Sequence, residues 1–259
     1  MSAPLALVTG AAGGIGRATV TRLLGDGLRV LALDLDAEGL SRLAGKEQAE
    51  GGLATCEFDL TDIAGTGDLL QGLVKRHGPV TRLVLNAGVW PGGPIVDMSD
   101  EVWDLNLAVN VTSPFAFLRA LAPVMAGAGG GAVVCVASRN AYRSSTNNAA
   151  YDASKAALVG LMRTAAGEFA GHRIRVNAVS PGVISTPATP EVEEPLFKAA
   201  YLKQIPLDRY GTAEDIAAVI AFLLSDDAGF LTGQDVIVDG GQIACQDNGR
   251  FMEIPGLRG

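Results

Sequence analysis

Leu5-Ala6-Leu7-Val8-Thr9-Gly10-Ala11-Ala12-Gly13-Gly14-Ile15-Gly16 is an apolar run that breaks into a glycine-rich turn. The unbroken apolar character of Leu5–Thr9 predicts a strand buried on both faces. A helix is expected to begin near Arg17. Gly10, Gly14 and Gly16, with Ile15 between the last two, let the backbone turn tightly and approach a bound anion, whose charge is met by the free N–H groups at the helix start. A glycine-rich turn alone is weak evidence, but strand, turn and helix in this order are the opening of a dinucleotide-binding βα unit.

Outward from this unit, similar runs recur at Arg29–Asp34, Ala54–Asp59, Arg82–Asn86, Ala132–Ser138, Arg173–Val179 and Val236–Asp239, with helical patterns between them. Alternation of buried strands and helices predicts an α/β fold, a single doubly wound Rossmann-type domain with a seven-stranded parallel sheet flanked by helices. No Pro- or Ser-rich linker divides the chain, so residues 1–241 are read as one dinucleotide-binding and catalytic domain. Two places break the rhythm. Ser185 to Pro206 reads as a long loop with a short helix able to cover a ligand. Residues 242–259 form a tail whose Phe251, Met252, Ile254 and Leu257 should pack on the same domain or on a neighbouring subunit.

Bulk composition narrows the partners. A net charge of -8 disfavours nucleic acid and anionic membrane surfaces. Cys56, Cys135 and Cys245 are few and scattered, and the opening residues carry no basic region or long apolar stretch, so a cytoplasmic location is expected. His77 and His172 belong to no Cys/His cluster, and no metal site is expected.

Asp34 closes the second strand, where a carboxylate can accept hydrogen bonds from adenosine ribose hydroxyls and would repel an added 2′-phosphate. Leu35 follows it, with no Lys or Arg beside it, and NAD is expected over NADP. The alternative is a solvated strand-end Asp. Further on, Tyr151 and Lys155 lie on one face of a helix. A free phenol has a pKa of about 10, and a neighbouring cation should lower it into the range of a usable proton carrier. Ser138, at the end of an apolar strand, could polarise a carbonyl or hold an alcohol beside the phenol.

These elements, in order, resemble the short-chain dehydrogenase/reductase family over nearly the whole chain. The matching residues are Thr9 to Gly16, Asp34, Asp59-Leu60, Asn86-Ala87-Gly88, Asn110, Ser138, Tyr151 to Lys155, Asn177 with Pro181-Gly182 and Thr186, and Leu231-Thr232-Gly233 before Asp239-Gly240-Gly241. The resemblance implies that Asp59 and Leu60 contact adenine and that Asn86, Ala87 and Gly88 line the cofactor cleft. It also implies that Pro181, Gly182 and Ile184 help bind the cofactor and that Thr186 contacts the nicotinamide carboxamide. Tyr151 and Lys155 would serve cofactor and chemistry alike, with Asn110 linking Lys155 to solvent protons through water. A homotetramer is the common assembly of such proteins.

The small-molecule substrate is addressed by three segments: Trp90 to Pro94, Arg139 to Arg143 with Asn147 and Asn148, and Ile184 to Tyr201. Asn140 and Asn148 suit hydroxyl groups, and Trp90 and Tyr142 could stack on a sugar ring or pack under the lid. Arg139 and Arg143 either bind an anionic substrate group or serve as solvated loop or subunit-contact residues. A sugar, an anionic sugar or a polyol is expected, oxidised to its carbonyl or lactone. The alternatives are an NADP-dependent 3-ketoacyl carrier-protein reductase, a reductase of an apolar cyclic ketone, and a noncatalytic NAD-sensing protein.

Overall fold

In the computed structural model, which describes residues 3–47, 52–186 and 190–245, the run Leu5–Thr9 is strand β1 and every residue in it is buried. It lies third in a parallel seven-stranded sheet of order β3-β2-β1-β4-β5-β6-β7. The other strands are β2 (Arg29–Asp34), β3 (Leu53–Glu57), β4 (Val80–Leu85), β5 (Gly131–Val136), β6 (Ile174–Pro181) and β7 (Asp235–Val238). The helices are α1 (Gly14–Gly25), α2 (Ala37–Glu47), α3 (Thr66–His77), α4 (Asp100–Leu107), α5 (Ser113–Gly127), α6 (Ala149–Phe169), α7 (Pro195–Leu202) and α8 (Ala213–Leu224).

The period of two along each strand splits the interior into two cores. Leu5, Leu7, Leu31, Leu33, Leu83 and Val133 point to the face covered by α3, α5 and α6, with Leu70, Phe117 and Leu158 opposite them. Ala6, Val8, Val30, Ala32, Val84 and Val134 point to the other face, where Val20, Leu40 and Ile220 of α1, α2 and α8 close over them. Runs that read as uniformly apolar are therefore alternating after all, each alternate residue serving a different core.

Several boundaries differ from the expected ones. The polar residues Asp59, Asn86, Ser138 and Asp239 lie just past the last residues of β3, β4, β5 and β7, in the turns that leave the sheet. Conversely, β6 continues past Val179 because Ser180 and Pro181 still pair with Ile237 and Val238. Helix α1 begins at Gly14, not Arg17, because the glycines of the turn themselves adopt its first residues. His77 lies in the last turn of α3 and His172 in a short 3₁₀ turn. Of the expected tail, Gln242 to Cys245 is described, and Phe251, Met252, Ile254 and Leu257 lie outside the described residues.

The strand order reverses between the parallel neighbours β1 and β4, from which the chain connects outward to opposite edges of the sheet, and ligands of such sheets bind in the crevice beyond the strand ends there. Thr9 Oγ1 accepts the N–H groups of Asn86 and Ala87 at 3.1 and 3.2 Å, and Asn86 Nδ2 donates to the carbonyls of Thr9 and Gly10 at 3.0 Å each. This clamp fixes the two strand ends that border the crevice. Phe117 is fully buried against the sheet, and Phe117→Ala should cost about 3–5 kcal/mol in urea unfolding. A smaller loss would mean that α5 collapses into the space.

Candidate active site

The crevice begins with a groove lined by Gly10, Gly14, Ile15, Gly16, Asp34, Leu35, Asp59, Leu60, Asn86, Ala87, Gly88 and Thr186, so all of these expected cofactor residues are brought together. Gly13, the N-cap of α1, offers no side chain to the helix start. The N–H groups of Gly14, Ile15 and Gly16 precede the first intrahelical donor, Arg17, which bonds the Gly13 carbonyl at 2.9 Å. All three residues line the groove, and uncommitted N–H groups at a helix start are what pyrophosphate binding uses. Glycine is enforced by contact: a methyl group at Gly14 would stand 2.7 Å from Thr186 Cγ2, and one at Gly10, whose φ is +65°, would stand 2.8 Å from Ala87 Cα. An uncapped helix start, a glycine cradle and carboxylates at the far end fit a dinucleotide.

Asp34 is not a merely solvated strand end. Its Oδ2 accepts Ala12 N–H at 2.8 Å and its Oδ1 accepts Asp36 N–H at 3.0 Å, so it braces the glycine loop from below while lining the groove. Each carboxylate oxygen retains a lone pair for a ribose hydroxyl. Asp36 and Phe58 also line this end and were not singled out from sequence; a second acidic residue two positions after Asp34 was the available signal.

Past Gly88 the groove continues into a cleft of about 310 Å³ lined by Ser138, Arg139, Asn140, Asn148, Tyr151, Lys155, Pro181, Gly182 and Ile184. Ser138 caps the short turn Arg139–Ala141, its Oγ accepting Asn140 N–H at 3.1 Å, and it shares the cleft with Tyr151, whose ionised form its hydroxyl favours. Lys155, on the next turn of α6, is buried and donates to the Val136 carbonyl at 2.9 Å. Its Nζ lies 5.7 Å from the Tyr151 ring centre.

Asn110 sits where α4 passes into α5 through a π-helical turn over Ala108–Thr112, the kind of helix irregularity that collects at functional sites. Its side chain is committed: Oδ1 accepts Val89 N–H at 2.9 Å, and Nδ2 donates to the Val89 carbonyl and Ser154 Oγ at 2.9 Å each. A methyl group at Gly88 would stand 3.1 Å from Lys155 Nζ and 3.4 Å from Asn110 Oδ1, which places these three residues side by side.

The electrostatics correct one expectation. Burial pushes the Tyr151 phenol above its ordinary range, and the neighbours that oppose this are the Ser138 hydroxyl and the Arg139 charge rather than Lys155. Lys155 is itself perturbed, burial bringing it down to about 8. A buried cation held by one carbonyl is a poor neighbour in its own right, because desolvation penalises charge on both groups.

The substrate-facing expectations divide. Trp90, Arg139, Asn140 and Asn148 line the cleft. Tyr142 does not: it turns away to donate to Asp235 Oδ2 on β7 at 2.9 Å, and the neighbouring Arg143 is exposed outside the cleft. Asn147 is structural as well, in a left-handed conformation with its carbonyl accepting Gly93 N–H at 2.7 Å. The Asn140 amide, though at the cleft wall, is largely engaged, donating to buried Asp152 at 2.7 Å. Asp152 also accepts Ser145 N–H at 2.8 Å, so it ties the Ser138 loop to α6. Reading Tyr151 to Lys155 as a spacing motif left Asp152 without a partner, since nothing local links it to residue 140. Asn177, carried by the family resemblance, is a clamp between β6 and the loop before β7, donating to the Leu231 carbonyl and accepting Gln234 N–H.

A family model described as enoyl-(acyl carrier protein) reductase matches residues 10–242. The chain is 37% identical over 238 residues to the 3-oxoacyl-[acyl-carrier-protein] reductase of Thermotoga maritima, covering 92% of this chain and 96% of that protein. It is 36% identical over 241 residues to the D-threitol dehydrogenase of Mycolicibacterium smegmatis, covering 92% of each. A solved structure from Beutenbergia cavernae, assigned as an NAD(P)-dependent gluconate 5-dehydrogenase with NADP at low occupancy, superposes with a TM-score of 0.88 at 33% identity, covering 95% of this chain and 98% of that one. This chain belongs to the short-chain dehydrogenase/reductase family. It is an oxidoreductase of alcohol and carbonyl groups that uses a nicotinamide dinucleotide, NAD or NADP.

The folded value of Lys155, about 8, lies below its ordinary 10.5, so the folded chain holds this proton less tightly than the unfolded chain. Burying the cation therefore costs stability at pH 7, and the cost fades as pH rises through 8 towards 10.5. Lys155→Met should raise Tm at pH 7, at about 2–4 °C per kcal/mol for a chain of this size. The gain should shrink above pH 8 and vanish near 10.5. A destabilised variant across this whole range would show that the Val136 hydrogen bond outweighs desolvation.

Proposed function

We propose that this protein is an NAD-linked dehydrogenase that interconverts a polar secondary alcohol, a sugar or polyol, with its carbonyl or lactone. The observation that carries the reading is the convergence of Ser138, Tyr151 and Lys155 on one cleft that opens directly into the dinucleotide groove, sharing Ile15, Asn86, Gly88, Trp90 and Thr186 with it.

When bound, the cofactor's nicotinamide supplies the hydride acceptor or donor. The protein's own residues manage the proton. The Ser138 hydroxyl, oriented by its bond from Asn140 N–H, holds the substrate oxygen beside the Tyr151 phenol. Tyr151 takes the hydroxyl proton in oxidation and returns it in reduction. The Ser138 hydroxyl and the Arg139 charge favour the phenolate against burial, and Lys155, held by the Val136 carbonyl, forms the floor of the cleft beneath it. Asn110, on its π-helical turn against Gly88 and Lys155, positions the exit for that proton.

Preference for NAD is supported by the three carboxylates Asp34, Asp36 and Asp59 that line the adenosine end of the groove, since a 2′-phosphate there would meet like charge. A small polar substrate is supported by the cleft volume, near the lower end for ligand sites, and by the Asn148 amide on its wall. The Mycolicibacterium relative named for threitol points the same way. The carrier-protein reductase of Thermotoga is similar to the same degree, so identity does not separate the two substrates. We further propose that residues 1–241 act as one unit in a cytoplasmic homotetramer. Trp103, Leu105 and Phe115 on α4 and α5 are exposed and would be covered there.

Two measurements test this reading. Tyr151→Phe should lose about 10²–10⁴-fold in turnover, the range for removing a positioned proton carrier, while NADH binding by fluorescence persists; near wild-type turnover would remove Tyr151 from the chemistry. Asp34→Asn, which can still accept Ala12 N–H, should narrow the NAD over NADP ratio of kcat/KM, and an unchanged ratio would leave Asp34 as a brace alone.

A further inference from the structure

The substrate end of the crevice carries charge of one sign. Among the described residues, its lining includes the cations Arg139 and Lys155 and no Asp or Glu, in a chain whose net charge is -8. Lys155 lies at the floor on the Val136 carbonyl. Arg139, half-buried at the wall immediately after Ser138, has no ion pair among those described residues.

Its one described hydrogen bond runs from Nη2 to the neutral Tyr201 hydroxyl on α7 at 2.6 Å. A guanidinium has five N–H donors in a planar fork, so this contact leaves most of them for a ligand. Tyr201 is itself fixed: Phe197 stacks on it at 5.5 Å and Tyr210 meets it edge-on at 6.0 Å. The lid therefore aims the guanidinium and leaves its charge unneutralised. Arg139 and Tyr151 line the same cleft, and the guanidinium charge favours the phenolate against burial.

We propose that Arg139, positioned by Tyr201, binds a carboxylate on the substrate, so that the preferred substrate is a polyhydroxy acid rather than a neutral polyol. A carboxylate can accept two parallel N–H bonds from the fork and supplies the negative charge that the cleft wall lacks. The assignment rests on the proposed oxidation of polar secondary alcohols at this site, and it names the class of alcohol.

Paired aldonates and alditols, threonate with threitol and gluconate with glucitol, test it through NAD-linked kcat/KM. The acid should be preferred over its alditol by about tenfold or more, the worth of a charge-assisted bidentate contact. Arg139→Gln should erase that ratio, Arg139→Lys should recover part of it, and Tyr201→Phe should raise KM for the acid more than for the alditol. Preference for the alditol, or an Arg139→Gln variant that depresses both substrates equally, overturns the assignment. If no pair is oxidised, the proposed function fails instead, and calorimetric titration of gluconate into the NADH complex still decides Arg139. Binding weakened about tenfold by Arg139→Gln supports the carboxylate site, and absent or unchanged binding refutes it.

Discussion

The structure depends on the clamp between Thr9 and Asn86. β1 and β4 are neighbours whose chains leave in opposite directions, so nothing beyond their last ladder hydrogen bonds would keep the crevice at a fixed width. The Thr9 hydroxyl receives two backbone N–H groups from the β4 side, and the Asn86 amide returns two bonds to the β1 side. Four bonds in a part-buried place hold the glycine turn against Ala87, and that contact is close enough that Gly10 tolerates no side chain. The dinucleotide groove on one side and the Tyr151 cleft on the other are both measured from this joint.

Charge is distributed along the crevice in two blocks. The adenosine end gathers Asp34, Asp36 and Asp59, and the substrate end gathers Arg139 and Lys155. At the adenosine end Asp36 is paired with Arg42 at 3.4 Å, whereas at the substrate end no described carboxylate neutralises Arg139 and Lys155, because the nearest, Asp152, spends its oxygens on Asn140 and Ser145. Burial makes the arrangement costly, as the displaced ionisation of Tyr151 and Lys155 shows. Sites that hold unpaired charge in dry surroundings give up stability in exchange for field strength at the reacting atoms.

The lid is a small structure of its own. Val192, Ile205 and Tyr210 form a third cluster with Tyr201 and Leu202 around them, and the Tyr210 hydroxyl donates to the Val192 carbonyl at 3.0 Å. Its approach to the sheet is set by the bridge between Ile184 and Gly211, with Ser185 N–H on the Gly211 carbonyl at 3.0 Å. Because Tyr201 belongs to this cluster, what it presents to Arg139 is a fixed hydroxyl and not a wandering one.

Much of this was legible in the amino-acid order. Apolar runs must be buried, glycine turns must admit a close backbone, and residues four apart on a helix must share a face; these local rules placed the sheet, the glycine cradle, Asp34, and Tyr151 beside Lys155. They could not place what depends on contacts between distant segments. Whether Tyr142 and Arg143 enter the cleft or leave it was decided by Asp235 on β7 drawing Tyr142 outward, and the meeting of Asn140 with Asp152 and of Arg139 with Tyr201 required the packed helices and lid. The sign of the Tyr151 shift was likewise a tertiary matter, because spacing reveals a neighbouring cation, whereas burial, the larger effect here, exists only once the two cores have closed.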